Sequence, residues 1–182
     1  MTRRRATIED LYRVDGRAEL VNGEIRHLPL MEAMSGCASD EIHYSLHCFM
    51  KASGLGRVFG GSVAYHVSLP HRESFSPNVG IYTGPRTGMK FPEGAPGFAV
   101  EVRNSDDRGP GVDADRAEKR RDYFAAGTLV VWDVDLLRDD IIRVYRSSAP
   151  DAPIVYYPGD TAEAEPAVPG WRMPVNDLFP AD

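Results

Sequence analysis

The sequence has only two cysteines among its 182 residues, and it has no long apolar run. Cys37 and Cys48 form neither a CxxC pair nor a disulfide pattern, so we expect reduced thiols, with Cys48 buried in the core. A membrane-spanning helix needs roughly 18 consecutive apolar residues, and no run approaches that length. The basic segment 1–5 is not followed by the apolar stretch of a secretory signal. These absences predict a cytoplasmic protein that does not contact membranes.

An excess of positive charge is also missing. The chain has 21 Lys and Arg residues against 27 Asp and Glu residues, which gives a formal net charge of −6. Domains that bind DNA through electrostatics alone are usually basic, so this balance counts against that class. A nuclease remains compatible, because carboxylates gathered around a metal ion lower the net charge while local basic patches can still contact phosphates.

The motifs of several common enzyme classes are absent as well. The sequence has no GxSxG, no Walker phosphate loop and no GxGxxG after a strand. The absence of these motifs counts against the most familiar serine hydrolase, nucleotide-binding and dinucleotide-binding sites.

The length suits a single domain over residues 1–182, and the local patterns predict a mixture of helices and strands. A capping box at Thr7 predicts a short helix, and Asn22-Gly23 between two strand-like runs predicts a β-hairpin. Helical spacing of apolar residues predicts a helix over 39–51 with Ser39 as N-cap, and a second helix is predicted over 114–126 with Asp113 as N-cap. Strands are predicted over residues 57–59, 63–69, 75–82, 98–102, 129–134 and 141–146, with a long loop over 83–97 and a less regular tail that includes a helical turn at 176–179. This order predicts an α+β fold in which one mixed sheet is flanked by helices, with the hairpin at the N-terminus.

Four short segments are informative because of their order. They are Glu19-Leu20-Val21-Asn22-Gly23, Ser76-Pro77-Asn78-Val79, Val100-Glu101-Val102-Arg103, and the helical segment from Asp115 to Tyr123. Together with Pro169-Gly170-Trp171 and Asp177-Leu178-Phe179, they resemble the Uma-type family of putative restriction endonucleases, within the PD-(D/E)xK nuclease superfamily. The resemblance extends from about Glu19 to Phe179 and implies a restriction-endonuclease-like fold.

The resemblance also implies a metal-dependent DNA endonuclease that acts as a homodimer. Phosphodiester hydrolysis requires an activated water and stabilisation of charge at phosphorus, and Mg²⁺ or Mn²⁺ held by carboxylates supplies both. By resemblance, Glu101, Asn78 and Glu19 are the metal ligands. Lys119 would orient the water or stabilise the developing charge.

Each of these assignments has a plainer alternative. Glu101 follows the apolar run 98–100, where a carboxylate is costly unless it binds something, but it could also point into solvent at a strand edge. Lys119 could belong to a solvated basic helix face, with Asp122 also exposed on that helix. Glu19 could be an ordinary exposed strand residue.

Asn78 departs from the family pattern, which has Asp at this position. An amide oxygen can bind a cation but carries no charge, so we expect weaker metal binding than two carboxylates would give. Cleavage could then be slow or absent, or Glu19 and Glu101 could suffice for one metal ion. The sequence leaves open whether Asn78 is natural or introduced.

Two further residues are candidates for contacts with the substrate. Arg103 occupies the third position of the strand motif, where its permanent charge could clamp a phosphate. His43 matches a family histidine and could face the phosphate. It also pairs with His47 at a spacing used by helical metal sites, although no third ligand is evident.

Two competing hypotheses remain open at this level. The chain could be a non-catalytic relative that binds nucleic acid or a protein partner, which the neutral Asn78 and the acidic balance favour. It could also be a purely structural or interaction domain. The nuclease interpretation requires Glu19, Asn78, Glu101 and Lys119 to converge on one small pocket.

Overall fold

The computed structural model describes residues 4–137 and 141–179 of the chain. The elements in chain order are α1 (Ile8–Leu11), β1 (Ala18–Val21), β2 (Glu24–His27), α2 (Ala33–Ser53), β3 (Arg57–Gly60), β4 (Tyr65–His66), β5 (Ser74–Phe75), β6 (Val79–Tyr82), β7 (Phe98–Val102), α3 (Pro110–Ala125), β8 (Val130–Asp135), β9 (Ile141–Arg146), β10 (Ala149–Tyr156), β11 (Thr161–Glu163), β12 (Arg172–Pro174) and a 3₁₀ turn (Val175–Leu178). The predicted α+β class is confirmed.

The central element is a six-stranded mixed sheet in the order β10-β9-β8-β7-β6-β3. Strands β7 and β8 are parallel, whereas the other neighbours are antiparallel. Helix α3 connects the two parallel strands, as a crossover of this kind requires. The register pairs Glu101 of β7 with Asp133 of β8, so two carboxylates from adjacent strands lie on the same face of the sheet.

The alternation of side chains along β7 separates the core from the polar side of the sheet. Phe98, Val100 and Val102 join the large apolar cluster that α2 covers. Ala99 lies on the other face with a smaller cluster that includes Tyr123 of α3. Glu101 continues the Ala99 face, so the backbone period of two residues directs its carboxylate toward α3.

The N-terminal hairpin is built as the sequence predicts. Asn22 and Gly23, which connect β1 and β2, have φ angles of 56° and 72°. Two consecutive positive φ angles define the two-residue turn whose twist matches paired strands, and Asn-Gly is the dipeptide best suited to it. All four residues of β1 are buried, so Glu19 lies inside the protein and not on an exposed strand.

Both long helices begin earlier than predicted. Helix α2 starts at Ala33, so Ser39 is a buried interior residue and not its N-cap. Helix α3 starts at Pro110 after Gly109, because proline is well suited to the first turn, and Asp113 is a first-turn residue instead of the N-cap. The apolar spacing located the buried face of α2, but the buried residues of α3 are Asp122 and Tyr123, and the turns that precede both predicted starts carry little apolar periodicity.

Several smaller predictions were wrong. Cys48 is exposed on α2 and does not belong to the core, and Cys37 is also exposed. The predicted strand over 75–82 is interrupted between β5 and β6, and the predicted strand over 63–69 shortens to β4. The tail is more regular than expected, because it contains the long edge strand β10 and the β11–β12 hairpin.

Candidate functional site

A pocket of about 140 Å³ opens on the α3 face of the sheet. Its walls come from β7, β8, α3, the segment before β6 and the connection between β2 and α2. The lining residues that matter for the chemistry below are Met31, Asn78, Glu101, Arg116, Lys119 and Tyr123.

Lys119 joins the two carboxylates that the sequence singled out. Its Nζ lies 2.8 Å from Oε1 of Glu101 and 2.8 Å from Oε1 of Glu19. Glu101 is contributed by β7, Glu19 by β1 and Lys119 by α3, so three separate elements meet at this ammonium group. The predicted convergence of these three residues is therefore observed, and Lys119 does not belong to a solvated helix face.

Glu19 is bound on both carboxylate oxygens. Its Oε2 accepts a hydrogen bond of 2.7 Å from Nη1 of Arg72, while its Oε1 accepts one of 2.8 Å from the backbone N–H of Ser76. The Lys119 ammonium contacts the same Oε1. Burial alone raises the pKa of Glu19, but the charges of Lys119 and Arg72 outweigh it and lower that pKa. Glu19 is thus a buried, fully paired carboxylate.

Arg72 extends this ion-pair network to Asp122. Its Nε donates a hydrogen bond of 2.8 Å to Oδ2 of Asp122, and the other oxygen of Asp122 lies 2.8 Å from Nε2 of His71. Asp122 is buried in α3, which corrects its predicted exposed position. Its spacing of three residues from Lys119 places both side chains on one helix face.

Tyr123 fixes the Glu101 carboxylate. Its hydroxyl donates a hydrogen bond of 2.6 Å to Oε1 of Glu101. Its ring stacks on Phe75 with 4.0 Å between centroids, which anchors it in the smaller apolar cluster. Burial first, and then the charges of Glu101 and Glu19, raise the pKa of Tyr123 well above its usual value, so it remains a hydrogen-bond donor.

The Lys119 ammonium remains charged in this environment. Burial lowers the pKa of Lys119, but the carboxylates of Glu101 and Glu19 outweigh that effect and raise it above its ordinary value. A lysine whose pKa is raised stays protonated at neutral pH. It can therefore stabilise negative charge, but it cannot accept a proton from water.

The Asn78 side chain is oriented by the neighbouring strand. Its Oδ1 accepts a hydrogen bond of 2.8 Å from the backbone N–H of Val102, and its Nδ2 lies 3.0 Å from Sδ of Met31. The backbone N–H of Asn78 also donates to the carbonyl of Val100 at 3.0 Å. These contacts hold Asn78 beside β7, where it lines the same pocket as Glu101.

Arg103 belongs to a second ion-pair network. Its Nε and Nη2 donate to the two oxygens of Asp133 at 3.0 Å and 2.7 Å, and its Nη1 donates to Asp113 at 2.8 Å. Arg116 reaches the same Asp133 at 2.8 Å. All three guanidinium nitrogens of Arg103 are thus engaged, and Arg103 is absent from the described lining of the pocket.

His43 is also outside the described lining of the pocket. It lies on α2, where its ring is 6.1 Å from that of His47, and it faces the β3 end near Gly60. Burial, followed by the neighbouring His47, lowers the pKa of His43. Within residues 4–137 and 141–179, no group of three His, Cys, Asp or Glu side chains has the arrangement of a metal site.

The contributions of Arg72 and Tyr123 were not predicted from the sequence. Tyr123 follows Lys119 by four residues, so helical spacing alone could have placed it beside the site. Arg72 lies in the connection between β4 and β5, where no periodic pattern exists. Its carboxylate partners Glu19 and Asp122 are 53 and 50 residues away in the chain.

No helix within the described part of the chain has both the length and the apolar character needed to cross a membrane.

The comparisons with known proteins agree with the fold and the motifs. Residues 6–176 match the family model Uma2, described as "Putative restriction endonuclease". A crystal structure of a putative nuclease belonging to DUF820 from Anabaena variabilis ATCC 29413 superimposes with a TM-score of 0.73. The two sequences are 16% identical over 95% of this chain and 97% of that chain, a level at which the likeness shows the fold alone. No curated protein matches the sequence.

Proposed function

The chain belongs to the Uma2 family of putative restriction endonucleases, and we propose that it is a metal-dependent DNA endonuclease whose centre is Glu101, Asn78 and Lys119. The observation that carries the proposal is the contact between Lys119 Nζ and Glu101 Oε1 at 2.8 Å, on the wall of a pocket. A carboxylate and a positively charged ammonium, held together beside a cavity, are groups that phosphodiester hydrolysis can use.

The donor atoms fit one hard divalent cation such as Mg²⁺ or Mn²⁺. Oε1 of Glu101 contacts the Lys119 ammonium and accepts a hydrogen bond from the Tyr123 hydroxyl. Oε2 receives no hydrogen bond from any described residue. Oδ1 of Asn78 accepts one hydrogen bond and retains a second lone pair. Glu101 and Asn78 would hold the cation, which lowers the pKa of a bound water and neutralises charge on the phosphate. With one carboxylate in the set, the affinity is expected to be low.

Glu19 serves this site as a positioning residue in the proposal. Both of its oxygens are already bound, and two cations neutralise its charge. It contacts the Lys119 ammonium at 2.8 Å, the same distance as Glu101 does. We therefore assign the metal to Glu101 and Asn78, and we assign to Glu19 the orientation of Lys119.

The Lys119 ammonium stabilises charge on the phosphate oxygens. Its raised pKa keeps it cationic at neutral pH, so it contributes to the transition state without transferring a proton. Tyr123 holds the Glu101 carboxylate in place through its hydroxyl. Arg103 and His43, which the sequence suggested as substrate contacts, have no part in this arrangement, because the described pocket lining contains neither.

A second candidate function is favoured by the orientation of Asn78. Its Oδ1 is directed onto the Val102 N–H, and the group facing Met31 is an amide N–H₂, which repels a cation. The same pocket could then bind nucleic acid without cutting it. This alternative predicts salt-dependent binding and no metal-dependent cleavage.

The deciding experiment is a nicking assay on supercoiled plasmid DNA with Mg²⁺ or Mn²⁺. Metal-dependent nicking that is lost in Glu101→Ala would support the endonuclease and exclude a contaminant. No nicking by the wild-type protein, followed by nicking in Asn78→Asp, would identify the neutral residue as the reason for inactivity. If neither protein nicks DNA, the endonuclease proposal is wrong.

We also propose that the protein acts as a homodimer, because cutting both strands of a duplex requires two centres. Sedimentation equilibrium at micromolar concentration measures this directly. A mass of one chain in the presence and absence of DNA would contradict it.

A further inference from the structure

A second cavity, of about 540 Å³, lies at the other end of β6 from Asn78. Its walls are β3, the end of β6 and the loop that follows β6. Its cationic lining residues are Arg57, Arg86 and Lys90, and the described lining contains no Asp or Glu. The chain as a whole carries 27 acidic residues against 21 basic ones. The wall of this cavity is therefore positively charged, although the net charge of the protein is negative.

Two of the three cations are available to a ligand. Arg86 and Lys90 are exposed, and neither forms an ion pair with any residue of the described part of the chain. Arg57 is held in place, because its guanidinium donates a hydrogen bond to the carbonyl of Gly84 and lies 5.5 Å from the centre of the Tyr82 ring. An unpaired cation on a protein surface attracts anions, and a phosphate backbone is the anion that offers several charges in series.

Aromatic rings stand beside these cations. Phe59 and Phe91, which are both half-buried, line the cavity together with the buried Tyr82. Phe91 stacks on Tyr12 with 4.0 Å between ring centroids and an interplanar angle of 8°, and its backbone N–H donates to the Tyr12 hydroxyl at 2.8 Å. Tyr82 donates a hydrogen bond of 3.2 Å to the carbonyl of Glu93. The loop and its rings are therefore tied to the rest of the fold, which lowers the entropy lost when a ligand binds.

We propose that this cavity binds unpaired nucleotides of a DNA strand. Arg86 and Lys90 would contact phosphates, and a base would stack against the half-buried ring of Phe59 or of Phe91. Interleaved cations and aromatic rings are the combination that binds single strands without sequence preference, because every base has a stacking face. A base within a duplex cannot enter a cavity, so the proposal commits to an unpaired strand.

The site is separate from the pocket around Glu101. Asn78 precedes the first residue of β6 and Tyr82 is its last residue, so the two residues are about 14 Å apart along the strand at about 3.4 Å per residue. Binding at the second cavity needs neither a metal ion nor cleavage. The inference therefore goes beyond the proposed function and does not depend on it.

The test is fluorescence anisotropy of a labelled single-stranded DNA oligonucleotide in EDTA, where metal-dependent cleavage cannot occur. The variant is Arg86→Ala/Lys90→Ala. The matched control is Lys51→Ala/Arg172→Ala, which removes the same two charges at exposed positions on α2 and β12. Three ligands are compared: the single strand, a duplex of equal length, and a strand of equal charge without bases. Thermal unfolding of each variant confirms that the fold is retained.

We expect the cavity variant to bind the single strand about tenfold more weakly than the wild type, and the control variant to differ by less than about twofold. Because each lost phosphate contact lowers the salt slope by about 0.7 for single strands, the slope of the cavity variant should fall by roughly 1.4. The strand without bases should bind at least about fivefold more weakly than the normal strand.

Three results would overturn the proposal. The first is an equal loss of affinity for the single strand in the two double variants. The second is equal affinity of the wild-type protein for the duplex and the single strand. The third is no binding by the wild-type protein at roughly 50 mM salt, a low concentration at which phosphate contacts are strong. The nicking assay above is scored separately, so loss of one proposal leaves the other open to its own test.

Discussion

Nη1 of Arg72 lies 2.7 Å from Oε2 of Glu19, and both side chains are almost completely buried. This ion pair neutralises Glu19 within the protein, before any ligand is present. Glu19 is therefore better suited to holding Lys119 than to binding a metal ion, and Arg72 becomes a structural requirement of the site.

Arg72→Met should destabilise the protein strongly. The substitution leaves the buried carboxylates of Glu19 and Asp122 without their shared cation. Removing one partner of a buried ion pair typically costs about 3–5 kcal/mol, so we expect a loss of that size in the free energy of unfolding. Urea denaturation measures it. The control is Arg86→Met, at an exposed position, which should change stability by no more than about 0.5 kcal/mol.

Asn78→Asp should strengthen binding of Mn²⁺ or Mg²⁺. One carboxylate oxygen would keep the hydrogen bond from Val102, and the other would replace the amide nitrogen beside Met31. A second charged ligand should lower the dissociation constant at least about tenfold, as affinity follows ligand charge. Isothermal titration calorimetry measures the change.

The matched control for this charge is Asn176→Asp. Asn176 is exposed and its Oδ1 accepts a hydrogen bond from the Gly159 backbone, so an Asp there preserves the contact. If both variants gain metal affinity equally, the gain reflects net charge and the assignment of Asn78 to the site is wrong.

Lys119→Met should abolish most of the nicking activity in whichever background nicks plasmid, wild type or Asn78→Asp. Losing a preorganised cation that stabilises transition-state charge typically costs a factor of about 10²–10³ in rate. Arg121→Met, at an exposed position on the same helix, should retain the full rate. Comparable rates in the two variants would remove Lys119 from the chemistry.

The ion pairs of Asp133 should make stability depend on acid pH. Burial raises its pKa, but Arg116 and Arg103 outweigh burial and lower it to about 2, from an ordinary value of 3.8. A lowered pKa means that the native state favours the charged form. The charged Asp133 carboxylate therefore contributes fully to the free energy of unfolding above pH 3.8, and this contribution is lost as the pH falls toward about 2. Its total size is roughly 2 kcal/mol.

The check is urea denaturation of wild type and Asp133→Asn at pH 6 and at pH 3. The stability difference between the two proteins should be smaller at pH 3, because the wild-type carboxylate has begun to lose its advantage. A difference that is the same at both pH values would show that the ion pairs do not set the pKa of Asp133.

The sequence predicted the parts of the site that belong to regular elements. Glu101 follows an apolar strand, and Lys119 lies on a helix whose motif resembles that of a known family, so both were placed correctly on one pocket. The burial of Asp122 was missed, because it stands in a run of polar residues on α3 and its residue type gives no sign that it faces inward. Arg72 was missed entirely, since its partners are brought together only by tertiary packing and no local rule relates them.

In the fold, too, the features determined by local sequence were predicted, and those determined by tertiary packing were not. The Asn-Gly turn and the alternation along β7 are local, and both were predicted. The start of α2 at Ala33 was not, because contacts with another part of the chain hold the residues before it, and the start of α3 at Pro110 was not, because its first turn carries little apolar periodicity. Asn104 illustrates such contacts, since its side chain bonds both Leu30 O and Glu32 N just before α2.

The alternation along β7 makes the length of this strand less tolerant of change than its composition. Val100 and Val102 could exchange for other apolar residues of similar size, because they need only fill the side covered by α2. Insertion or deletion of a single residue before Glu101 would instead turn its carboxylate into that apolar core and present a valine to Lys119. Among related sequences, the apolar residues of this strand should therefore vary among side chains of similar size, while their number between the preceding loop and Glu101 should stay fixed.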